Sequence, residues 1–579
     1  MTMTRERTAT GSPERFFGKS AWNEERFFLV LAVFIGVFSG LAVVCFRLAI
    51  DWTSVGLMGP APHSQDWRLL VVPSCVSLLL AVLVIHVFPS ARDSGVSQTK
   101  AALYIYNGYI PFRTAIGKFL CAALAIGAGH SLGPEDPSLQ IGAAIASGLG
   151  RRMEFSREKL RLLAPTGAAA GLAAAFNAPI SAVLFVIEEV IGRWSAGILG
   201  SVVLSAISSV VVVRWFLGSQ PLFRIPPVTV VRPVELIAYA VLGLAGGLAA
   251  VIFAKAIGYF RPRLRDWPGW TQYFLPAIAG LLIGLMGYFG APQVMGAGYL
   301  YIDEAMHGQF TWQMLAILAG LKIIATALSF ISRTPGGMFA PTLFIGAMLG
   351  GAVGGVEHNL YPHLAGSAGT YALVGMGVLF AGFLRVPLTS VFMVLEVSGN
   401  YSIIVPVILA NTIAYVISRS LQPVPIFDLL ARQDGLELPN LEEQRDETVL
   451  RVEDAMQSPD GPVLNAEETV ATANLTAEKS PIEIFLVRLS PTGWSSVTRD
   501  VLGRLMGEGK GEMTLGSALP TARLPHLHPD YPLEMALRYV YQTPLVPVVS
   551  RADFRKLEGV ISSAAVLAKY HVVSREAAS

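Results

Sequence analysis

The chain has 579 residues, 53% of them hydrophobic and only 15% charged, whereas soluble domains carry roughly a quarter charged residues. That balance falls outside the soluble range and places most of the chain in lipid. The formal charge of +2 gives no electrostatic footprint for nucleic acid and no strongly basic surface for membrane headgroups.

Residues 1–26 are polar, with Arg5, Arg7, Arg15, Lys19 and Arg26 and no short apolar core followed by a cleavage site, so they read as a cytoplasmic segment rather than a secretory leader. Residues 27–46 form an uncharged run, and an α-helix needs about 20 such residues to cross the hydrocarbon core. Comparable runs follow at 69–88, 195–213, 236–254, 273–289, 314–326 and 403–417, too many for anchoring alone. Between them, 94–107, 136–149, 164–189, 337–356 and 373–398 are apolar but short or broken by Gly and Pro. Irregular backbone at membrane depth survives only where protein or a water-filled cavity satisfies it, so these breaks point to a buried site. Cys45, Cys75 and Cys121 sit in apolar surroundings without paired or metal-like spacing and read as small core residues.

The chain repeats itself. Asn177-Ala-Pro-Ile-Ser-Ala-Val-Leu-Phe-Val-Ile-Glu188 aligns without gaps on Arg385-Val-Pro-Leu-Thr-Ser-Val-Phe-Met-Val-Leu-Glu396, an offset of 385 − 177 = 208. Pro137-Ser-Leu-Gln-Ile-Gly-Ala143 aligns on Pro341-Thr-Leu-Phe-Ile-Gly-Ala347, an offset of 341 − 137 = 204. Two segments sharing nearly one offset imply duplicated halves, and paired broken helices in such halves point to a transport site near the bilayer midplane. The loop 150–161 carries five basic residues and therefore reads as cytoplasmic, although Arg214, Arg224 and Arg232 then fall on the outer side.

An anion crossing a low-dielectric layer needs partial positive charge, which helix N-termini supply through free N–H groups and the aligned dipole. Three segments combine a turn-forming break with a helix start: Asp93-Ser-Gly-Val-Ser97, Gly133-Pro-Glu-Asp-Pro137 and Gly337-Met-Phe-Ala-Pro341. In that order they resemble the signatures of the CLC chloride channel and transporter family, Gly-Ser-Gly-Ile-Pro, Gly-Arg-Glu-Gly-Pro and Gly-x-Phe-x-Pro. The likeness extends over roughly 27–430.

The resemblance implies an all-α polytopic membrane fold of two inverted repeats with broken helices over 27–431. It also implies a chloride seat formed by the Ser94 hydroxyl and the backbone N–H groups of Met338 and Phe339. Glu135 would be the gate, since an ionised carboxylate is itself an anion and can fill the seat that chloride would take. Glu189, with its neighbour Glu188, would relay protons on the inner side; a plain surface ion pair of Glu189 with Arg193, four residues on, is the alternative. Lys118 matches a buried family lysine that biases the anion path, or else it snorkels to a helix end.

This chain departs from the pattern at Asp93, Ser97, Pro134 and Asp136, and Phe427 stands where the family's pore tyrosine is expected, losing a hydroxyl ligand. Asp136 adds a negative charge beside the gate and would raise the gate's proton affinity. Partners implied are chloride, protons, lipid and a second copy of the chain.

Hydropathy collapses after Gln422, and 432–451 reads as a linker. Short apolar runs at 545–549 and 559–562 alternate with a helix-like stretch at 532–541, the pattern of a small α/β domain over 452–579. Val452-Glu-Asp-Ala-Met456, Val497-Thr-Arg-Asp-Val501 and Gly559-Val-Ile-Ser562 resemble a pair of cystathionine β-synthase (CBS) motifs, which implies cytoplasmic regulation and an adenine nucleotide held by Asp500, with Ala565 at the second such place.

The leading reading is a chloride/proton antiporter, with a passive gated chloride channel on the same fold as the alternative. A membrane enzyme finds no support: the chain has no phosphate-cradling Gly-Lys-Ser/Thr loop, no His-Glu-x-x-His pair and no Gly-x-Ser-x-Gly elbow. No cofactor or metal is implied, and His130 reads as a packing or hydrogen-bonding residue.

Overall fold

In lipid the backbone can bond only to itself, so long uncharged runs fold as helices. The computed structural model describes residues 24–576 except 61–62, 93, 154, 156, 193–195, 220–221, 224–232, 362–366, 437, 439–449, 490–492, 520–523, 542 and 552. Residues 1–23, Asp93, Arg193, Arg224, Arg232 and most of the expected linker thus lie outside the described residues. The chain divides into two compact units between 442 and 443.

The first half of the membrane unit contains α1 (Glu24–Met58), α2 (Arg68–Val82), α3 (Gly95–Tyr104), α4 (Phe112–Gly127), α5 (Glu135–Gly150), α6 (Arg157–Phe176), α7 (Pro179–Phe185) and α8 (Ala196–Leu217). The second contains α9 (Leu236–Arg265), α10 (Thr271–Tyr288), α11 (Tyr299–Met306), α12 (Trp312–Ile331), α13 (Phe339–Leu360), α14 (Ala368–Leu384), α15 (Pro387–Ser398) and α16 (Ile404–Leu421), and α17 (Ile426–Gln433) follows. Eight helices among the described residues are long and apolar enough to cross a membrane.

Matched glycines hold the two halves together in the same way. A Cβ on Gly40 of α1 would lie 2.8 Å from the Ser209 oxygen of α8, and one on Gly243 of α9 would lie 2.7 Å from the Ala410 oxygen of α16. Likewise α5 and α6 meet at Gly142 and Gly167, and α13 and α14 at Gly346 and Gly375, with backbone close enough that only a hydrogen fits. In lipid such close approach, rather than expulsion of water, drives helix association. Every residue of α14 from Gly369 to Leu384 is buried, which makes it the axis of the second half.

The repeat break is a single left-handed residue in each half, Asn177 (φ 54°) and Arg385 (φ 63°), each two positions before a Pro that starts the next helix. Asn tolerates this conformation through its short side chain, whereas the Arg385 guanidinium is tied to Ser418 Oγ and O.

Three expectations change. The segment 337–356, read as too broken to span, is the uninterrupted 22-residue α13, because its glycines serve packing rather than interruption. The stretch around Lys118, not separated as an element, is α4. Cys45 and Cys75 are exposed on α1 and α2, so only Cys121 is a core residue; in lipid an outward face is also apolar, so composition alone does not separate the two.

The second unit holds α18 (Val452–Ala455), β1 (Leu464–Asn465), α19 (Val470–Glu478), β2 (Ile484–Arg488), β3 (Trp494–Thr498), α20 (Arg499–Gly507), α21 (Leu515–Ala518), α22 (Leu533–Val540), β4 (Val546–Val549), β5 (Leu557–Ile561) and α23 (Ser563–Glu576). One sheet has the order β1-β2-β3, with β1 parallel and β3 antiparallel to β2, and β4 and β5 form an antiparallel pair. A strand pair followed by a helix therefore occurs twice, as β2-β3-α20 and β4-β5-α23, each on its own core. This is the expected small α/β domain.

Candidate anion-binding site

The two halves meet at their signature loops. Gly133 N donates to Gly337 O at 2.8 Å and Gly337 N to Gly133 O at 2.9 Å, an isolated antiparallel bridge between residues 204 apart. A Cβ on Gly337 would stand 2.7 Å from the Asp136 Cβ, so glycine is needed for the loops to touch. From this seam start α5 and α13.

Glu135, at the first position of α5, is fully buried. Its Oε2 accepts from Ala340 N at 3.3 Å, in the first turn of α13, and Tyr299 OH of α11 donates to its Oε1. The carboxylate thus occupies the place where an anion would meet the α13 N-terminus. Met338 is the residue preceding α13 and Phe339 its first, but the amide that reaches the carboxylate is that of Ala340, one position on from the expected pair.

Asp136 turns to a different helix. Ser94 Oγ donates to its Oδ1 at 3.0 Å, Val96 N to Oδ1 at 3.1 Å and Gly95 N to Oδ2 at 2.9 Å. Lys118 Nζ lies 3.9 Å from Oδ2 and donates to Ala91 O at 3.3 Å. The Asp136 charge is therefore met by α3 and Lys118, and the second carboxylate expected beside the gate is directed to the start of α3. Ser94, expected to hold chloride, gives its hydroxyl to Asp136. Lys118 is completely buried and does not snorkel.

At the start of α13, aromatic rings pack together. Phe339 sits 5.1 Å from Phe185, 5.7 Å from Phe380 and 6.0 Å from Phe427 between ring centroids. Phe427 offers no hydroxyl, yet its carbonyl accepts from Ser97 Oγ at 3.0 Å. The serine that replaces the family's proline thereby ties α3 to α17.

Five residues along α3 from Gly95, about 7.5 Å by helical rise, stands Lys100. Its buried ammonium donates to Glu189 Oε1 at 3.0 Å and to Asp428 Oδ1 at 2.6 Å. Glu188 faces elsewhere: its carboxylate accepts from Leu388 N at 3.2 Å, Thr389 N at 2.8 Å and Thr389 Oγ1 at 2.7 Å, capping α15. Glu396, its repeat partner, caps α7 through Ile180 N at 3.0 Å, Ser181 N at 2.9 Å and Ser181 Oγ at 2.6 Å. His130 is buried with its ring nitrogens 2.6 Å from Ser77 Oγ and 3.4 Å from Ser329 Oγ.

A family model described as voltage gated chloride channel matches residues 76–419, more than half of the chain. The chain belongs to the CLC family. A putative chloride channel protein ClcB-like from Ralstonia nicotianae is 33% identical over 430 residues, covering 71% of this chain and 99% of that protein. An H(+)/Cl(-) exchange transporter ClcA from Yersinia pestis bv. Antiqua is 34% identical over 421 residues, covering 70% and 87%. Among solved structures, a slow cyanobacterial Cl-/H+ antiporter superposes with a TM-score of 0.65 at 24% identity, covering 74% of this chain and all of that one. A eukaryotic CLC transporter superposes at 0.60 and 21% identity over 92% of this chain and 97% of its own. These likenesses show the CLC fold in a multi-pass membrane protein. Its members are transporters and channels, not enzymes.

In the second unit, Asp500 is exposed in the first turn of α20. A cleft of about 270 Å³ lies beside β2 and β5, lined by Asp460, Gly461, Ile482, Glu483, Leu545 and Val560 among others. Asp500 is not among its lining residues.

Lys100, Asp428 and Tyr299 were not singled out from the sequence. A charge inside the buried segment 94–107 was a usable signal for Lys100, because ionisable residues at membrane depth mark function. Nothing in the sequence pairs Tyr299 with Glu135, 164 residues away.

Proposed function

We infer that the protein is a chloride/proton antiporter in which Glu135 is the gate and Glu189 passes protons on the inner side. The observation that carries this reading is the Glu135 carboxylate held by the Ala340 amide at the start of α13. An ionised carboxylate there presents the charge that chloride would present, so the two compete for one seat. Protonation removes the charge, the Ala340 amide loses its ionic acceptor, the side chain leaves and chloride enters. When chloride departs, the carboxylate returns and its proton goes to the other side.

Around Lys100, the Glu189 and Asp428 carboxylates share one ammonium. A proton on Glu189 leaves Lys100 paired with Asp428, and its loss restores the shared bond, which suits a relay. Glu188 and its bonds to α15 support a structural role instead.

The same cluster favours the second reading, a passive gated chloride channel, in one respect: Glu189 must release Lys100 to carry a proton, and a cluster that never opens would conduct none. Purified protein in vesicles separates the two. In the antiporter a chloride gradient drives protons uphill; in the channel chloride moves and no proton follows.

The protein is further inferred to act as a homodimer with one pathway per subunit, in the plasma (inner) membrane with both termini cytoplasmic. The membrane domain spans 27–431, and 452–579 serve as a CBS-like regulatory domain behind the linker 432–451. The basic loop 150–161 supports the orientation, and the two strand-strand-helix repeats support the CBS-like domain.

A further inference from the structure

Asp136 follows the gate directly, in the place where the CLC signature has glycine. Ser94 precedes α3 with extended backbone (ψ 133°), but its side chain accepts no capping bond from its own helix. Asp136, from 42 residues away, supplies the missing acceptor, taking the Ser94 hydroxyl and the Gly95 and Val96 amides in three bonds of 2.9 to 3.1 Å. Both its oxygens are thus engaged, and it is buried beside the buried Lys118.

These donors make up an anion seat: one hydroxyl, two amides of a ten-residue helix and a lysine 3.9 Å off, arranged around one negative charge. We propose that Asp136 is a tethered anion that holds this seat, so that chloride reaches Ser94 only by displacing its carboxylate. The proposal rests on the reading of the chain as a chloride transporter and names the residue that sets its chloride affinity.

The helices that frame this seat pack closely. A Cβ on Gly95 would lie 2.5 Å from the Asp136 carbonyl oxygen and 2.8 Å from the Gln140 Cβ, so α3 and α5 are already pressed together. Nor do the two carboxylates act alike. Glu135 reaches across to the other half with one amide and one tyrosine, whereas the shorter Asp136 is held by three donors on one helix start. Asp136 is the more firmly anchored of the pair. The Ser94 seat is accordingly closed to chloride in the resting protein, and the seat at α13 is the one that exchanges.

Replacing Asp136 by a neutral residue leaves the Ser94 hydroxyl and the Gly95 and Val96 amides without their anionic acceptor, and chloride becomes the group that takes its place. The test is calorimetric titration of sodium chloride into the purified full-length chain in detergent, using D136N, D136S, S94A, D136N/S94A and E135Q, each first checked for monodisperse elution. D136N and D136S are expected to bind chloride roughly tenfold or more tighter than the wild type. S94A should change the wild-type affinity by less than about twofold, yet weaken binding several-fold on the D136N background, since coupled residues are non-additive.

Equal affinities for wild type, D136N and D136S, with S94A weakening all backgrounds alike, would overturn the proposal. If E135Q tightens chloride binding while D136N does not, this inference fails and the gate stands; if no protein binds chloride, both fail. Should D136N and D136S not stay folded, S94A in the wild type decides alone. Unchanged affinity supports the tether, and lost affinity removes it.

Discussion

The two halves meet at two seams, and the two use carboxylates in opposite ways. Where α7 meets α15, each half contributes the same acid in the same role. Glu188 caps α15 and Glu396 caps α7, with residues 180 and 181 answering 388 and 389 at an offset of 208. Where α5 meets α13, the backbone is symmetric through Gly133 and Gly337, but the side chains are not. Adding 204 to 135 and 136 gives Phe339 and Ala340, an aromatic ring and a methyl group. At these two seams, the acids kept in both halves cap helices of the opposite half, whereas the two acids present in one half only each meet the start of a different helix.

This contrast can be broken most sharply at Glu135. Glu135→Gln should leave chloride flux that no longer depends on pH and no longer moves protons, measured as paired fluxes from vesicles; full pH dependence in that variant would remove the gate. Nearly as large is the effect of Lys100→Met, which leaves two buried carboxylates without their ammonium. A stability loss of about 3–5 kcal/mol is expected, read as a fall in thermal midpoint in detergent, and an unchanged midpoint would show that the cluster is not buried as described.

Glu189→Gln sharpens the comparison from the proton side. Chloride flux should persist while proton movement drops below detection, and retained coupling would return Glu189 to a structural ion pair. At the symmetric seam, Glu188→Gln should lose about 2 kcal/mol and the more exposed Glu396→Gln about 1 kcal/mol, both with the chloride-to-proton ratio intact. A changed ratio in either variant would mean that symmetry does not mark structural acids. Ser97→Ala is the mildest, costing about 1 kcal/mol through the lost bond to the Phe427 carbonyl, without altering anion preference.

Much of this arrangement was legible in the residues. The ungapped offsets of 204 and 208 located both seams, and the three Gly-containing breaks located the helix starts, because a helix start in lipid needs a turn residue and a partner for its amides. The alignment even paired Glu188 with Glu396, although their reciprocal capping was not drawn from it. What stayed hidden were partners fixed only by tertiary packing. Tyr299 reaches Glu135 across 164 residues, Asp428 reaches Lys100 across 328, and Asp136 reaches Ser94 across 42. A sequence reports that a charge is present at membrane depth; which helix end it neutralises depends on the crossing of helices that glycines such as Gly95 and Gly337 allow. The direction of Asp136 is the clearest instance, for its sequence position is next to the gate while its carboxylate lies against α3.

The proposed coupled transport rests on the Glu135 side chain occupying the anion seat at the start of α13. The most direct measurement is a crystal structure of Glu135→Ala grown in bromide, with anomalous density examined at the Ala340 amide. A bromide within hydrogen-bonding distance of Ala340 N, absent from the wild type grown alike, is the predicted result. A seat that stays empty of halide once the carboxylate is gone would contradict it.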